Sequence, residues 1–235
     1  MPTQAERDEH DASLRTLLAL ESLAISVVQD ATIGLPKDPD EASDELRSRL
    51  SASLVSARTA ARVQGTNRLR AEYEIVRRYA RSQGYRTGPL AFISRPVASD
   101  VEEAGKWADD IAKLVRKRAS DADVRNAISR SKGKLSASAR AVVDDAWSDE
   151  RNRVLRATRA EQKEADVVPF VGTIWDARMD AATCPRCRDL DGTIRPIGIA
   201  FPNGAIPGKV HVQCRCLGGL VFAPMIVSIS DREVA

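Results

Sequence analysis

Four cysteines, all between Cys184 and Cys216, constrain this chain of 235 residues more than any other feature. Two stand in T-C-P-R-C (Thr183 to Cys187) and two in H-V-Q-C-R-C (His211 to Cys216). The C-x-x-C spacing folds into a knuckle that brings two sulfurs within reach of one ion. Zn²⁺ takes four soft or borderline ligands, sulfur at about 2.3 Å and imidazole nitrogen at about 2.0–2.1 Å. If Cys214-Arg215-Cys216 is extended, both sulfurs project from the same side of the strand. If it begins in a turn, His211 and Cys214 approach each other instead. Cys184, Cys187, His211, Cys214 and Cys216 are therefore five candidate donors for four places. The 26 residues between Cys187 and Cys214 fit an inserted hairpin or loop. Two structural disulfides or four free thiols are the competing readings. A thiolate-rich shell closes around its ion and leaves no position for water. The segment also lacks an H-x-E or H-E-x-x-H arrangement to supply a general base. The expected metal is structural.

The surroundings of the cysteines explain why a staple is needed. Up to about residue 165 the chain is rich in Ala, Arg, Glu and Asp, with hydrophobic residues at helical spacing. Leu14, Leu17, Leu18, Leu23, Ile25 and Val28 form one such set, ended by Gly34-Leu35-Pro36. A second runs through Leu46, Leu50, Leu54, Val55, Val63, Leu69, Ile75 and Val76, with Asp40 or Ser43 as its cap and a possible interruption at Gly65. Residues 85–99 hold two prolines and read as a connection. Ser99 or Asp100 opens a third helix, with Val101, Ala104, Trp107, Ala108, Ile111, Leu114 and Val115 on one face. Gly133 reads as a break before a fourth helix through Val142, Val143, Trp147, Val154 and Leu155. The expected helices are about 5–31, 41–83, 100–131 and 136–163. After 165 come the β-branched and aromatic run Val167 to Trp175, the turn signal Asp191-Gly192, a stretch rich in Gly and Pro, and a strand from Leu217 to Phe222. The expected fold class is α+β: a mainly helical body at 1–164, a metal-stapled β-rich module at 165–224 and a tail at 225–235. A module of that size rarely buries enough apolar surface to stand unaided.

Aromatic residues at 4% and charged residues at 29% suit long amphipathic helices better than a dense β core. The net charge of +3 decides little, but its distribution is uneven. Residues 1–50 carry five basic and eleven acidic side chains, whereas residues 51–90 carry eight arginines against Glu72 and Glu74. Arg68, Arg70, Arg77, Arg78 and Arg81 are the candidate contacts to DNA phosphates, where each neutralised phosphate adds sequence-independent affinity. Tyr73, Tyr79 and Tyr85 lie among them, able to stack on bases or, at helical spacing, to pack into a core. The acidic, Leu-rich start can serve as a docking helix or as an ordinary bundle helix. No run approaches the roughly 18 apolar residues of a membrane span. The acidic N-terminus lacks the form of a signal peptide, so the reading is an intracellular, soluble product in which clustered cysteines favour metal over disulfides.

Catalytic signals are missing. There is no G-x-x-x-x-G-K-[ST], G-x-G-x-x-G or G-x-S-x-G. Asp109-Asp110 and Asp144-Asp145 are adjacent on helices and diverge by about 100°. Asp180, Asp189 and Asp191 read as turn and capping residues, Trp107 and Trp147 as core anchors, and His10 as incidental.

The wording around the cysteines carries more. Arg178-x-Asp180-x-x-Thr183-Cys184-Pro185-x-Cys187-x-x-Leu190-Asp191-Gly192, followed by His211-x-x-Cys214-Arg215-Cys216, resembles the C-terminal signature of the phage head morphogenesis family. These are minor head proteins similar to the F protein of phage Mu. The stretch R-V-L-R-A-T-R-A-E (Arg153 to Glu161) is similar to the family's approach to that motif, and the resemblance runs from about 150 to 222. Val212 stands where the family usually has proline, and the usual Thr-Glu pair is spread to Thr158-Arg159-Ala160-Glu161. Neither departure removes a donor.

The resemblance implies a non-enzymatic structural part of a tailed phage or prophage. It would lie inside the head near the portal vertex, pass through the host cytoplasm during assembly, and take part in procapsid assembly and DNA packaging or delivery. Implied partners are portal, coat or scaffold proteins and packaged double-stranded DNA, with self-association through the long helices open and no membrane involved. Some relatives carry a toxin or enzymatic domain after the motif; here nineteen residues follow Cys216, too few for one. A zinc-ribbon-like nucleic-acid-binding regulatory protein is the alternative.

Overall fold

The computed structural model describes residues 3–91, 98–119, 123–164, 171–177, 179, 183–208, 210, 214 and 216–223. Among them the order is α1 (Gln4–Ala31), α2 (Pro39–Ser82), α3 (Ala98–Ala119), α4 (Val124–Glu164), β1 (Val171–Asp176), α5 (Pro185–Leu190), β2 (Ile194–Pro196), one 3-10 turn (Pro202–Gly204) and β3 (Leu217–Phe222). The fold is α+β: mainly helical, with one three-stranded sheet near the C-terminus.

Local chemistry sets the helix ends. Thr3 Oγ1 accepts the Glu6 N–H while the Glu6 carboxylate accepts the Thr3 N–H, a reciprocal capping box at the start of α1. Asp38 Oδ1 accepts the N–H groups of Asp40 and Glu41 at 2.9 and 3.0 Å, with Pro39 opening α2. The cap is thus Asp38, ahead of the expected Asp40 or Ser43, because proline at the first helical position fixes where the helix begins. The expected breaks at Gly65 and Gly133 are not there. Gly65 lies inside α2 and Gly133 inside α4. Gly133 is exposed with open space around it, so it costs the helix about 1 kcal/mol relative to alanine, which a helix of 41 residues absorbs. The chain breaks earlier, between Ala119 and Val124, and those two residues pack with Ala42 and Ala127.

Contacts divide the chain into two compact units: Met1–Thr16, Gln64–Ile93 and Ser148–Ala235 in the first, Leu17–Val63 and Ser94–Trp147 in the second. The second is helical. Leu46, Leu50 and Leu54 of α2, Val28 of α1, Ile111 and Val115 of α3, and Val142, Val143 and Trp147 of α4 are buried in it. Trp107, the other expected anchor, is half-buried. Arg58 is fully buried and meets Asp145 at 3.1 Å, while Arg62 pairs with the buried Asp100, which also accepts the Thr59 hydroxyl at 3.0 Å. Charges are tolerated in such a core only when paired. Leu23, Val63 and Val101, counted above with apolar faces, are exposed; single surface hydrophobics are ordinary.

The first unit holds the sheet, of order β2-β1-β3 and antiparallel throughout. Trp175 pairs with Gly218, and Thr173 lies opposite both Arg195 and Leu220. Leu69, Tyr73, Val76 and Ala80, on one face of α2, pack with Val154 and Leu155 of α4 and with Val171, Ile197 and Leu220. The Tyr73 hydroxyl donates to the Gly88 carbonyl at 3.1 Å and accepts from Gln162 Nε2 at 2.6 Å. Thr158 Oγ1 accepts the Ala91 N–H at 2.9 Å. These bonds fasten the proline-containing connection to α4.

Burial pushes the Tyr73 hydroxyl up to about 12, an effect the Gln162 hydrogen bond only partly opposes. An acid whose folded pKa lies above its unfolded value of 10.0 adds stability below pH 10 that is lost as pH rises toward 12. Tyr73→Phe should cost about 1–3 kcal/mol in urea unfolding at neutral pH, because Gln162 and Gly88 lose a buried partner. It should also flatten the alkaline loss of stability between pH 10 and 12. Unchanged unfolding and an unchanged alkaline limb would show that the hydroxyl carries no such role.

Candidate metal centre

The C-x-x-C motif lies where β1 gives way to α5. Cys184 is the N-cap of this six-residue helix, with extended backbone (φ −69°, ψ 156°), and Pro185 supplies the fixed φ of its first turn. The Cys184 sulfur accepts the Cys187 N–H at 3.3 Å, but Cys184 is not among the thiols that converge within 4.8 Å of one another. At the other end of α5, Asp191 Oδ1 accepts the Ala177 N–H at 2.8 Å, tying the helix back to the end of β1. Trp175 exchanges backbone bonds with the turn, its N–H to Thr193 O at 2.8 Å and its carbonyl to the Gly192 N–H at 2.9 Å. Asp191 thus holds the turn position read from the sequence.

Cys214 and Cys216 come from the segment that leads into β3. Among the described residues, Cys187, Cys214 and Cys216 bring their sulfurs within 4.8 Å of one another, and all three are buried. The Cys187 and Cys214 sulfurs stand 3.9 Å apart. That is far beyond a disulfide bond of about 2.05 Å. It matches the edge of a tetrahedron with metal–sulfur bonds of about 2.3 Å, which is about 3.8 Å. Trp175, Leu190, Phe201 and Ala205 surround the sulfurs, and the Trp175 and Phe201 rings meet edge to face at 4.9 Å. None of the four cysteines is joined in a disulfide.

Electrostatics in this box is one-sided. Hydrogen bonding from the Cys216 thiol holds Cys214 down to about 5. The same bond to a Cys214 thiolate raises Cys216. Burial, and then the hydrogen bond to Cys184, push Cys187 up to about 12. One negative charge is readily held there; further ones in so small an apolar volume call for a cation among them. The donor set and its spacing fit a divalent soft-to-borderline metal such as zinc, and the cluster can hold a metal ion. His211, the fifth candidate donor, lies outside the described residues, as do Asp180, Val212 and Arg215.

The arginines are placed as follows. Arg68 is half-buried and bonds Thr16 Oγ1 at 3.1 Å and Glu9 at 3.2 Å. Arg77 is half-buried between Glu74 at 2.9 Å and Thr87 at 3.2 Å. Arg70, Arg78 and Arg81 are exposed; Arg78 Nε donates to Glu74 O at 3.3 Å and Arg81 Nε to Thr87 Oγ1 at 2.8 Å. Tyr73 is core, while Tyr79 and Tyr85 set their rings edge-on to Phe222 at 5.2 and 5.3 Å. Both stay exposed otherwise, and Tyr85 lies beyond the end of α2.

His10 is not incidental. Its Nε2 bonds the Asp176 carboxylate across 166 positions of sequence, and its ring lies over Gly219. A side chain there would meet His10 Nδ1 at 3.0 Å, which is why β3 carries glycine at this point. Sequence offered one faint signal of this contact, a glycine pair inside an otherwise apolar strand.

No curated protein and no solved structure matches the chain. A family model described as Phage Mu protein F like protein matches residues 74–218, more than half of the sequence, from the last part of α2 through the cysteine cluster to the start of β3. The chain belongs to the family of phage Mu F-like proteins, whose members are phage head morphogenesis proteins.

Proposed function

We propose that this head morphogenesis protein is a structural, non-enzymatic component of a tailed phage or prophage head, stationed near the portal and engaged in procapsid assembly and in DNA packaging or delivery. In this reading the helices dock on portal, coat or scaffold proteins, and the C-terminal module is stapled by zinc. The observation that carries it is a family match that runs continuously into three converging buried thiols. A shell of Cys184, Cys187, Cys214 and Cys216 is the proposed ligand set, with His211 as the competing donor. What supports Cys184 is its bond to the Cys187 N–H. Zinc would supply cross-linking energy in place of an apolar core; structural zinc in small domains contributes about 10–16 kcal/mol at neutral pH. The module's largest buried aromatic residues, Trp175 and Phe201, both lie against the sulfurs, so the staple and the small core are one object.

DNA contact, in this reading, falls to the exposed Arg70, Arg78 and Arg81, since Arg68 and Arg77 are half-buried in intramolecular pairs.

Mass spectrometry of purified virions and procapsids tests the assignment. The chain should be present in both, in a small ratio to the major coat protein, and procapsids lacking it should assemble poorly or package less DNA. Its absence from both particles, with normal assembly in a deletion strain, would contradict it. For DNA, replacing Arg70, Arg78 and Arg81 together by alanine should weaken retention of double-stranded DNA and make the slope of log affinity against log salt shallower by up to about 2.7. An unchanged slope would remove DNA from the reading.

A further inference from the structure

β3 is an edge strand, and buried charged side chains take up two of its backbone groups, the Gly218 carbonyl and the Phe222 N–H. Arg151 of α4 is 7% exposed. Its Nη2 donates to the Gly218 carbonyl at 3.0 Å and to Glu72 Oε2 at 2.7 Å. Glu72 of α2, 3% exposed, accepts the Ser13 hydroxyl from α1 on its other oxygen at 2.5 Å. Further along β3, the Phe222 N–H donates to Glu6 Oε1 at 2.9 Å. Two helices of the first unit, α1 through Glu6 and α4 through Arg151, thus reach one strand edge, with Glu72 of α2 behind Arg151.

A net stability gain does not account for the Arg151–Glu72 pair, because buried ion pairs can often be replaced by apolar side chains without loss. What apolar residues cannot supply is a directed bond to a chosen carbonyl. Gly218 lies two residues beyond Cys216 and is paired with Trp175, whose ring packs among the cysteines. A side chain on Gly218 would meet Thr173 Cγ2 at 2.8 Å, so the strand sits close against its neighbour. A slip of one residue reverses the facing of every side chain on a strand, and an unclosed edge is where such slips begin. Sliding β3 would carry Cys214 and Cys216 away from Cys187.

We infer that Arg151 is a positioning residue of the metal centre: with Glu72 and Ser13 behind it, it holds β3 in the one register at which Cys214 and Cys216 meet Cys187. The inference rests on the zinc reading above. Neighbouring Arg153 does not substitute, since its guanidinium is held by Glu150 at 2.7 Å.

Cobalt(II) titration of the full chain tests it, comparing wild type with Arg151→Met/Glu72→Met and with Arg151→Lys. Wild type should bind one Co²⁺ with the visible bands of a tetrahedral thiolate site. The double variant should keep its helical circular dichroism yet bind Co²⁺ at least about tenfold more weakly, the usual scale for lost outer-shell support. Its thiolate-to-cobalt absorption per bound ion should also be weaker. Arg151→Lys, which keeps a donor and a charge but loses the fork, should fall between. A double variant with wild-type affinity and spectrum would overturn the inference. Should the double variant lose its helical signal, Arg151→Lys decides by the same comparison. Failure of wild type to take up Co²⁺ at all overturns the zinc reading instead, and this inference with it.

Discussion

Three buried sulfurs within 4.8 Å of one another set the terms for the C-terminal module. They lie at the centre of its own hydrophobic cluster, against Trp175 and Phe201, so the polar site and the core cannot be separated. Protonated, the thiols are small hydrophobes with weak hydrogen bonds among them. Ionised, they repel strongly in a medium of low dielectric, and a cation is what turns that repulsion into a cross-link. A three-stranded sheet with one strand of only three residues depends on its packing on α2 and α4 and on polar ties from α1 and α4.

The converse dependence matters as much. Sulfurs on segments 26 residues apart in sequence converge only if both segments are fixed from outside the site. On one side the Cys184 cap, α5 and the Asp191 bond to Ala177 do this locally. On the other side the fixing is long-range: Arg151, backed by Glu72 and Ser13, and Glu6 hold β3 from helices as much as 216 positions away in sequence. His10 on Asp176 adds another tie from α1 to the sheet. The first turns of α1 therefore group with the sheet in one compact unit. These ties link the placement of α1 to the geometry of the C-terminal site.

What could be read from sequence follows the range of the interaction responsible. The long helices show through their apolar spacing. The turn at Asp191-Gly192 and the strand Leu217–Phe222 show through residue types that act within a few positions. The cysteine cluster was legible because metal-ligand spacing is itself local, and the family signature around it led to the same family that the match over 74–218 gives, although that match begins well upstream of where the motif resemblance starts. Contacts divide the chain differently from composition: its character changes near 165, but burial joins α1's first turns, the end of α2 and half of α4 to the sheet. Gly133 does not end its helix because a solvent-facing glycine only lowers helix stability. The cap of α2 is set by Pro39, which puts the helix start at Asp38 rather than at the acidic and serine residues after it. The edge network of β3 and the His10–Asp176 pair join residues 59 to 216 positions apart, and the glycine pair of β3 is the one faint trace of them in the sequence.

Metal content is the central claim's most direct test. Protein purified without added zinc, and without chelating tags or buffers, should carry one zinc per chain by elemental analysis. Its four cysteine thiols should resist alkylation until a strong chelator is added. Protein that is free of metal, with its cysteines oxidised in pairs or alkylating at once, would contradict the account.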